Sequence, residues 1–556
     1  MRHPSRLKVA TITFVTIVTL ISAFMLSSFA LRGASVHAAT GPKSNATRGT
    51  ITPAGVVDPA RFSTAKVASS STSARPKGVR RIHQGSAAST SARAFNATSS
   101  TFDAEHAGKL LTSFNGVSSL DSAVTNFGAE FEPPDQGLCV GNGFVVEPVN
   151  SAFTIYRTNG AVVAGPFNVN ALFNEGLTEF TSDPRCYFDK STHTWFATIL
   201  FISADNAASH FDISVNSSGD PTKAWTVYRV DTTNPNGNGC PCFGDQPLLG
   251  LDQDNIYVST NEFSILGPQF NGAQIYAISK SELVALASSV NFVHFANLTI
   301  GGNLAASVQP ATTYGHSDAE YFLNSLDPFG TFDNRLGVWA ITDRGAVTSG
   351  GIPHLSHVLI QSEPYGVPPG AIQKGSTSLL DSGDDRMQQV QFINGDLWGA
   401  LGTSVTIAHD TAARAGIAWF RVHPHLKGDT IGGAHIVHQG YVTSLGNYLT
   451  YPSIQASYEG TAAINFTLSG PTFFPSAGYV FLQEEHTAFG PIHISGKGRG
   501  SYDPTAGRWG DYSASVLAPS GKSFWMANEY IPPVTSQTPD GLRNWGTRVF
   551  EVSTGD

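Results

Sequence analysis

The chain has 556 residues, more than a domain of ordinary size needs, and only 13% of them are charged, against roughly 25% in an average globular protein. Its 56 glycines are typical of many short strands joined by turns. The formal net charge of −9 argues against nucleic-acid binding, which requires a basic face, and leaves cations and neutral ligands open.

The first 38 residues have the pattern of an export signal. Basic residues, the last of them Lys8, precede an uncharged apolar run over 9–31, and a small-x-small cleavage site ends at Ala38. This run exceeds the usual signal core of roughly 7–15 residues and approaches the ~20 that span a bilayer. The sequence therefore predicts a cleaved signal peptide or an N-terminal membrane anchor over 1–38. Either one places the body of the chain outside the cytoplasm, secreted or at the cell surface.

The segment 39–101 is rich in Ser, Thr and Ala and lacks apolar periodicity, which predicts a disordered linker. The remaining segment, 102–556, contains the four cysteines, Cys139, Cys186, Cys240 and Cys242. An oxidising compartment allows two disulfides among them, in any of three pairings. A metal site is disfavoured, because Cys-x-Cys is not the spacing of zinc knuckles and no His is near it.

Corners that contain Asp or Pro recur along 102–556, and the six steps from Asp135 to Asp511 average about 63 residues. The corners are Pro134-Asp135, Asp183-Pro184-Arg185, Gly244-Asp245-Gln246-Pro247, Gln309-Pro310, Asp385-Arg386, Tyr451-Pro452-Ser453 and Gly510-Asp511-Tyr512. A second strand follows each, at 144–150, 195–202, 256–263, 321–326, 397–403, 462–468 and 524–530, and a third at 153–157, 225–230, 274–278, 336–341, 416–422, 477–482 and 547–552. The chain thus contains seven units of three recognisable strands, and each unit is long enough to hold a fourth. This pattern predicts an all-β fold, a seven-bladed β-propeller.

Two further expectations follow from this architecture. Inner strands should be almost continuously apolar, as 194–202 is, because neighbouring blades cover both faces. The last strand, 547–552, is the third of its unit, so its missing neighbour should be 110–117, which removes a free sheet edge. Two β-sandwiches would instead give shorter strand spacing and no sevenfold recurrence.

Three motifs carry a resemblance to known proteins: CPCFGDQP at 240–247, TNEF at 260–263 and RWGDYS at 508–513. They resemble a family of exported bacterial propeller-like proteins of unassigned function. The segment from about Asn115 to Asp556 is more distantly similar to the sialidase and YVTN/WD40-like propeller superfamilies. The resemblance implies the fold and does not specify an activity.

Aspartates at the corners should converge on the central channel of such a ring. They are Asp135, Asp183, Asp245, Asp385 and Asp511. Each could cap its own turn through the backbone, or together they could bind a ligand or a cation, and calcium suits oxygen ligands in an exported protein. Asp245 and Asp511 are the candidate calcium ligands.

The resemblance to sialidases implies an arginine triad that holds a sugar carboxylate, a Tyr nucleophile assisted by Glu, and an acid Asp. The matching residues would be Arg185, Arg386 and Arg508, then Tyr512 with Glu262 or Glu529, and Asp183. The sialidase repeat Ser-x-Asp-x-Gly-x-Thr-Trp is missing, and 218–225 is only loosely similar to it. Pairing of each arginine with a nearby aspartate is therefore the favoured interpretation.

Other polar residues also allow two interpretations. Asn150, Asn261, Asn324, Asn465 and Asn528 could cross-link neighbouring blades, while Glu262 and Glu529 could form an acid/base pair or bind calcium. The eight tryptophans are expected in the core rather than in sugar-stacking platforms. His423, His425, His435 and His438 could bind Zn²⁺ or Cu²⁺ if the glycine-rich loop between them folds back, or could be chance neighbours on an exposed loop.

Several enzyme classes are excluded by their missing motifs. The chain contains no Gly-x-Ser-x-Gly elbow, Walker loop, His-Glu-x-x-His or EF-hand loop. The sequence favours an exported propeller that binds a carbohydrate or a protein, with membrane contact only through its N-terminal segment. The alternative is a sialidase-like glycoside hydrolase or lyase with its site at the channel mouth.

Overall fold

The computed structural model describes residues 45–62, 94–102, 108–326, 332–502, 508–533 and 544–555. The predicted signal or anchor over 1–38 lies outside these residues, and so does much of the predicted linker. No helix in the described ranges is both long enough and apolar enough to cross a membrane.

Short strands and one helix begin the described chain. They are β1 (Asn45–Ile51), β2 (Pro53–Val57), β3 (Phe95–Ala97), β4 (Leu110–Ser118) and α1 (Ser119–Thr125). Helix α1 begins with a capping box, in which the Ser118 and Asp121 side chains each accept a hydrogen bond from the other's backbone N–H.

The chain then forms antiparallel meanders, in which each strand pairs with the one before it. The strands that come first are β5 (Cys139–Gly141), β6 (Phe144–Pro148), β7 (Ala152–Arg157) and β8 (Val162–Asn168); β9 (Phe180–Asp189), β10 (Thr194–Ile202), β11 (Ser209–Asn216) and β12 (Trp225–Asp231); β13 (Cys242–Leu251), β14 (Asn255–Ser264), β15 (Phe270–Ser279) and, after the short helix α2 (Lys280–Val284), β16 (Val290–Ala296). Single 3₁₀ turns lie at Pro59–Arg61, Val169–Phe173 and Arg344–Ala346.

The same pattern continues to the end of the chain. After a small hairpin of β17 (Thr299–Ile300) and β18 (Asn303–Leu304), the strands are β19 (Gln309–Tyr314), β20 (Glu320–Ser325), β21 (Asp333–Thr342) and β22 (His354–Tyr365); β23 (Met387–Ile393), β24 (Asp396–Ile407), β25 (Arg414–Lys427) and β26 (Thr430–Val442); β27 (Tyr448–Ala456), β28 (Ala462–Gly470), β29 (Phe473–Leu482) and β30 (His493–Gly496); β31 (Ala514–Leu517), β32 (Ser523–Tyr530) and β33 (Gly546–Ser553).

The described fold is all-β, and successive four-stranded antiparallel meanders are typical of β-propellers. Hydrogen bonds join the strands into sheets of 14, 5, 4, 4, 4 and 2 strands, so the sheet count differs from the seven blades that the sequence predicts. The largest sheet contains several meanders because parallel bridges connect their first strands, β13 to β19 and β19 to β23. First strands of these meanders therefore lie side by side.

The predicted closing strand is confirmed. β4 pairs antiparallel with β33, from Ser118 opposite Gly546 to Leu110 opposite Val552. A hydrophobic cluster then joins the last meander to the first one, with Val145 of β6 and Trp525 of β32 among its members. This pairing covers the edge of β33 that would otherwise leave unpaired backbone groups.

Parts of the segment predicted to be a disordered linker form strands instead. β1 pairs with the outer strand β16, β2 pairs with the outer strand β12, and β3 runs parallel to β24. Only Ile51 and Val57 are buried in β1 and β2. The outer strand of a meander offers unpaired backbone groups, so an extended segment can pair there without the apolar periodicity that the prediction relied on.

The core lies between neighbouring meanders, as expected for strands covered on both faces. All of β10 is buried, and one cluster combines Phe153 of β7 with Trp195 of β10. The eight tryptophans are at most 2% exposed, which confirms their assignment to the core. The prediction was wrong for 225–230, which forms the fourth strand of its meander and not the third. The third strand is β11, which was not predicted because polar residues interrupt its apolar pattern.

Two disulfides resolve the three possible pairings. Cys139 is bonded to Cys186, which ties β5 to the neighbouring β9. Cys240 is bonded to Cys242 at the start of β13. None of the four cysteines is a free thiol.

Candidate functional site at the strand corners

At or near six of the predicted corners, one residue has an unusual backbone conformation; three of these residues precede a first strand and three lie inside one. Left-handed φ angles occur at Asp135 (47°), Asp183 (60°), Gln246 (52°), Ser307 (46°), Tyr451 (51°) and Asp511 (81°). Asp and Asn adopt this region more readily than most residues, because their short polar side chains can hydrogen-bond locally. Three of the five predicted ligand aspartates, Asp135, Asp183 and Asp511, therefore occupy positions whose backbone conformation suits aspartate. Asp245 does not, because the left-handed residue at its corner is Gln246.

Asparagine amides connect two of these corners to the preceding meander. Asn150 donates to the Asp135 carboxylate at 2.8 Å, and its carbonyl oxygen accepts from the Asp183 N–H at 2.8 Å. Asn261 makes both of its contacts with Ser307, donating to the hydroxyl at 2.9 Å and accepting from the N–H at 2.8 Å. Each amide satisfies the backbone of a left-handed residue, so these asparagines have a structural role.

Two of the remaining predicted cross-links are also present. Asn465 donates to the Ala514 carbonyl at 2.9 Å, and Asn528 donates to the Phe466 carbonyl at 2.6 Å. Both bonds join the β27–β30 meander to the strands β31–β33. Asn324 differs, because it accepts from the Trp339 indole at 2.8 Å inside its own meander.

Arg386 and Arg508 form ion pairs, as the favoured interpretation expects. The Arg386 guanidinium binds both oxygens of Asp384, at 2.7 and 2.6 Å, and also donates to the Gln246 side chain. Arg508 pairs with Asp511 three residues later. The contact with Gln246 brings the corner inside β13 and the corner before β23 together.

Arg185 is placed differently from the other two arginines. Its guanidinium carbon lies 3.6 Å from the centre of the Tyr512 ring, a cation–π contact between the corners of β9 and β31. Its Nη2 atom is buried and has no hydrogen-bond partner among the described residues. Arg185 follows its left-handed residue whereas Arg508 precedes Asp511, so the three arginines do not occupy equivalent positions.

Glu262 and Glu529 have different surroundings. Glu262 accepts from Asn234 and Asn271 at 3.0 Å, beside the Cys240–Cys242 disulfide. Glu529 accepts from the Gly510 N–H at 2.7 Å, two residues before Tyr512. Burial raises the pKa of both carboxyl groups, that of Glu529 well above its usual range. They share no hydrogen-bond partner within the described residues, so a Glu262–Glu529 acid/base pair is not assembled there.

Two groups of potential metal ligands in the described ranges have three ligand atoms that all lie within 4.8 Å of one another. They are Cys240, Cys242 and Glu262, and Glu175, His210 and Asp212. The first includes a disulfide, whose sulfurs are not the thiolates that bind metals. None of the five corner aspartates belongs to either group.

Sequence reasoning missed Glu147, a carboxyl group in the middle of β6. It is fully buried, accepts from the Val117 N–H at 2.9 Å and from the Tyr156 hydroxyl at 3.3 Å, and so connects β6 to the closing strand β4. Burial raises its pKa from 4.5 to about 7. The available signal was a lone charged residue in the apolar run 144–149.

Comparisons with known proteins add little to this geometry. No family model matches the chain, and no curated protein sequence matches it. Solved structures similar to it include the Dos1 propeller (9% identity, 81% of this chain, 95% of that chain, TM-score 0.31) and Drosophila Semaphorin 1b, extracellular domains 1-2 (9%, 81%, 87%, 0.33). A third is the Penicillium chrysogenum alpha-L-arabinanase complexed with arabinobiose (10%, 67%, 92%, 0.27). Such low TM-scores support no inference about activity.

Proposed function

We propose that the chain is an exported seven-bladed β-propeller that serves as a binding platform for a carbohydrate or a protein at the cell surface. Each blade would be one antiparallel meander, and the last would be completed by β4. The observation that carries the proposed role is the pairing of Arg386 and Arg508 with aspartates.

Because these ion pairs occupy the guanidinium groups of Arg386 and Arg508, neither arginine is available to bind a substrate carboxylate. A sialidase-type site needs arginine forks that are free to hold a carboxylate. The Arg386 and Asp384 side chains are 8% and 15% exposed, and both donor–acceptor bonds between them are shorter than 3 Å. Breaking such a pair to bind a substrate would leave a buried charge without its partner, at a cost of roughly 3–5 kcal/mol.

The surrounding polar groups also hold the ring together. Asn150, Asn261 and Asn465 use their amides on neighbouring corners, and Asp135 is one of the acceptors. A surface stabilised in this way is rigid before a ligand arrives, which favours binding because fewer groups lose freedom on association.

A sialidase-like glycosidase is the second candidate, and one observation favours it. The Arg185 guanidinium lies over the ring of Tyr512, and its Nη2 has no hydrogen-bond partner among the described residues. The buried Glu529 carboxyl contacts the same corner at Gly510. One arginine, one tyrosine and one glutamate of the predicted site are therefore close together, although the other two arginines are engaged elsewhere.

A glycan array with the purified chain, repeated across a calcium titration, tests the proposal alongside a hydrolysis assay on sialosides and arabinosides. Arg185→Ala and Arg386→Ala are compared with Arg499→Ala, which removes an exposed arginine. The platform predicts binding without hydrolysis, and a lower unfolding midpoint for Arg386→Ala alone. Hydrolysis lost in Arg185→Ala would overturn the platform in favour of the glycosidase. If no glycan binds, protein partners are sought by crosslinking on cells, and failure there also contradicts the proposal.

A further inference from the structure

The long hairpin of β25 and β26 gathers three histidines on one face. Its two-residue turn, Gly428-Asp429, returns the chain so that His423 faces His435 across the strands. His425 lies two residues after His423 and therefore projects from the same side of the strand. The glycine-rich loop thus folds back, which is the condition under which a metal site was predicted. His438 lies farther along the ladder, opposite Arg421.

The three imidazole rings are mutual neighbours. Their centroids are 4.8 Å apart for His423 and His425, 5.0 Å for His425 and His435, and 5.5 Å for His423 and His435. The Nε2 atom of His425 is 2.9 Å from the Nδ1 atom of His435. Two nitrogens bound to one tetrahedral zinc ion lie about 3.3 Å apart, given Zn–N bonds of about 2.0–2.1 Å. A shared ion would replace this hydrogen bond once both rings turn their nitrogen lone pairs toward it. The ligand nitrogens of all three histidines do not lie within 4.8 Å of one another, so the exposed rings of His425 and His435 have to turn toward His423.

A buried carboxylate orients the third ring. Asp396 is 4% exposed, and its Oδ1 lies 2.7 Å from the Nδ1 of His423. Its other oxygen accepts from Arg421 at 2.5 Å, which holds the carboxylate in place. Metal-binding histidines commonly donate their second ring N–H to a carboxylate in this way, because that fixes the ring and its tautomer. The contact directs the other nitrogen of His423, Nε2, away from Asp396.

We propose that His423, His425 and His435 bind one divalent transition-metal ion, Zn²⁺ or Cu²⁺, with Asp396 positioning His423. Imidazole nitrogens suit both ions, and three protein ligands leave a coordination position open to water or a small ligand. The rings of His425 and His435 are exposed, so an ion can reach them and the side chains can rotate toward it.

The other histidine cluster supports no such proposal. His210 lies 3.2 Å from Glu175, but Arg229 forms ion pairs with both Glu175 and Asp212. The guanidinium already supplies the positive charge that the carboxylates require, so a metal ion would have to displace it.

Isothermal titration of the purified, chelator-treated chain with ZnCl₂ and with CuCl₂ tests the site. The expected result is one equivalent bound, with affinity reduced at least about tenfold in His425→Ala and in His435→Ala. His316→Ala, which removes an exposed histidine elsewhere, should change nothing. The Cu²⁺ complex should show nitrogen superhyperfine splitting in its EPR spectrum, and His425→Ala should weaken that splitting.

The supporting role of Asp396 has its own test. Asp396→Asn should lower metal affinity about 10–100-fold, with the near-UV circular dichroism spectrum as the check on folding. The rings of His425 and His435 are exposed, so their variants should fold and remain informative if Asp396→Asn fails to fold. Absence of binding by either ion, or affinity unchanged in both histidine variants, would refute the site. These outcomes are independent of ligand binding at the strand corners.

Discussion

The substitution Glu147→Gln should make the stability of this protein less dependent on pH. Glutamine preserves the shape of the side chain and keeps an oxygen to accept from the Val117 N–H, but it carries no charge. Because Glu147 of β6 accepts a hydrogen bond from the closing strand β4, the change acts where β4 joins the first meander to the last.

The sign and size follow from the pKa of Glu147. Burial raises it from 4.5 to about 7, so the folded state retains a proton that the unfolded state releases. The stabilisation is complete below about pH 4.5 and is lost as pH rises through 7. One pKa unit corresponds to about 1.4 kcal/mol, so wild-type stability should fall by about 3 kcal/mol between pH 4.5 and 8 through this group alone.

Equilibrium unfolding in urea, followed by tryptophan fluorescence with the disulfides intact, measures the effect at pH 5, 6, 7 and 8. The difference in unfolding free energy between Glu147→Gln and wild type should grow in favour of the variant by about 2.5 kcal/mol over this range. Glu484→Gln, at an exposed position, should give a difference that does not change with pH. A constant difference for Glu147→Gln would refute the claim that this carboxyl is buried in its protonated form.

Three other substitutions test the contacts that hold the ring, each by the same urea assay at pH 7. Arg386→Ala should cost about 3–5 kcal/mol, because it removes the guanidinium that pairs with the largely buried Asp384 carboxylate, and the exposed-arginine variant Arg499→Ala should cost far less. Asn150→Ala should cost about 1–3 kcal/mol, since the Asp183 N–H loses its acceptor; a cost near zero would contradict the cross-linking role. Gly116→Ala should cost about 1–3 kcal/mol, because a methyl group there collides with the carboxylate of Glu147 and with Thr547, whereas Gly433→Ala, which meets open space, should be tolerated.

The predicted strands show how much of the fold follows from the local pattern of apolar residues in the sequence. Apolar runs such as 194–202 correspond to fully buried strands, and the pairing of 110–117 with 547–552 follows from the need to cover a free edge. Local pattern failed where burial is incomplete or polar residues intervene. β11 was missed for this reason, and β1 and β2 were missed because they pair through their backbones at outer edges.

The candidate site required more than local pattern. Placing Arg386 beside Asp384 and Arg508 beside Asp511 needed only sequence proximity, and the interpretation as ion pairs agrees with the structure. The contact of Arg185 with Tyr512 joins residues more than 300 positions apart, and no periodicity predicts it. The burial of Glu147 depends likewise on a strand that reaches it from the other end of the ring.

The amino-acid sequence by itself thus determined the all-β class, most strands, the buried tryptophans and the closing edge, because these depend on apolar periodicity and on the need to pair backbone groups. Only the tertiary structure decided the disulfide pairing, the partners of the corner residues and the meeting of His425 with His435. Many polar groups in the chain are chemically able to pair with one another. Which of them do so depends on which groups the folded chain brings close together.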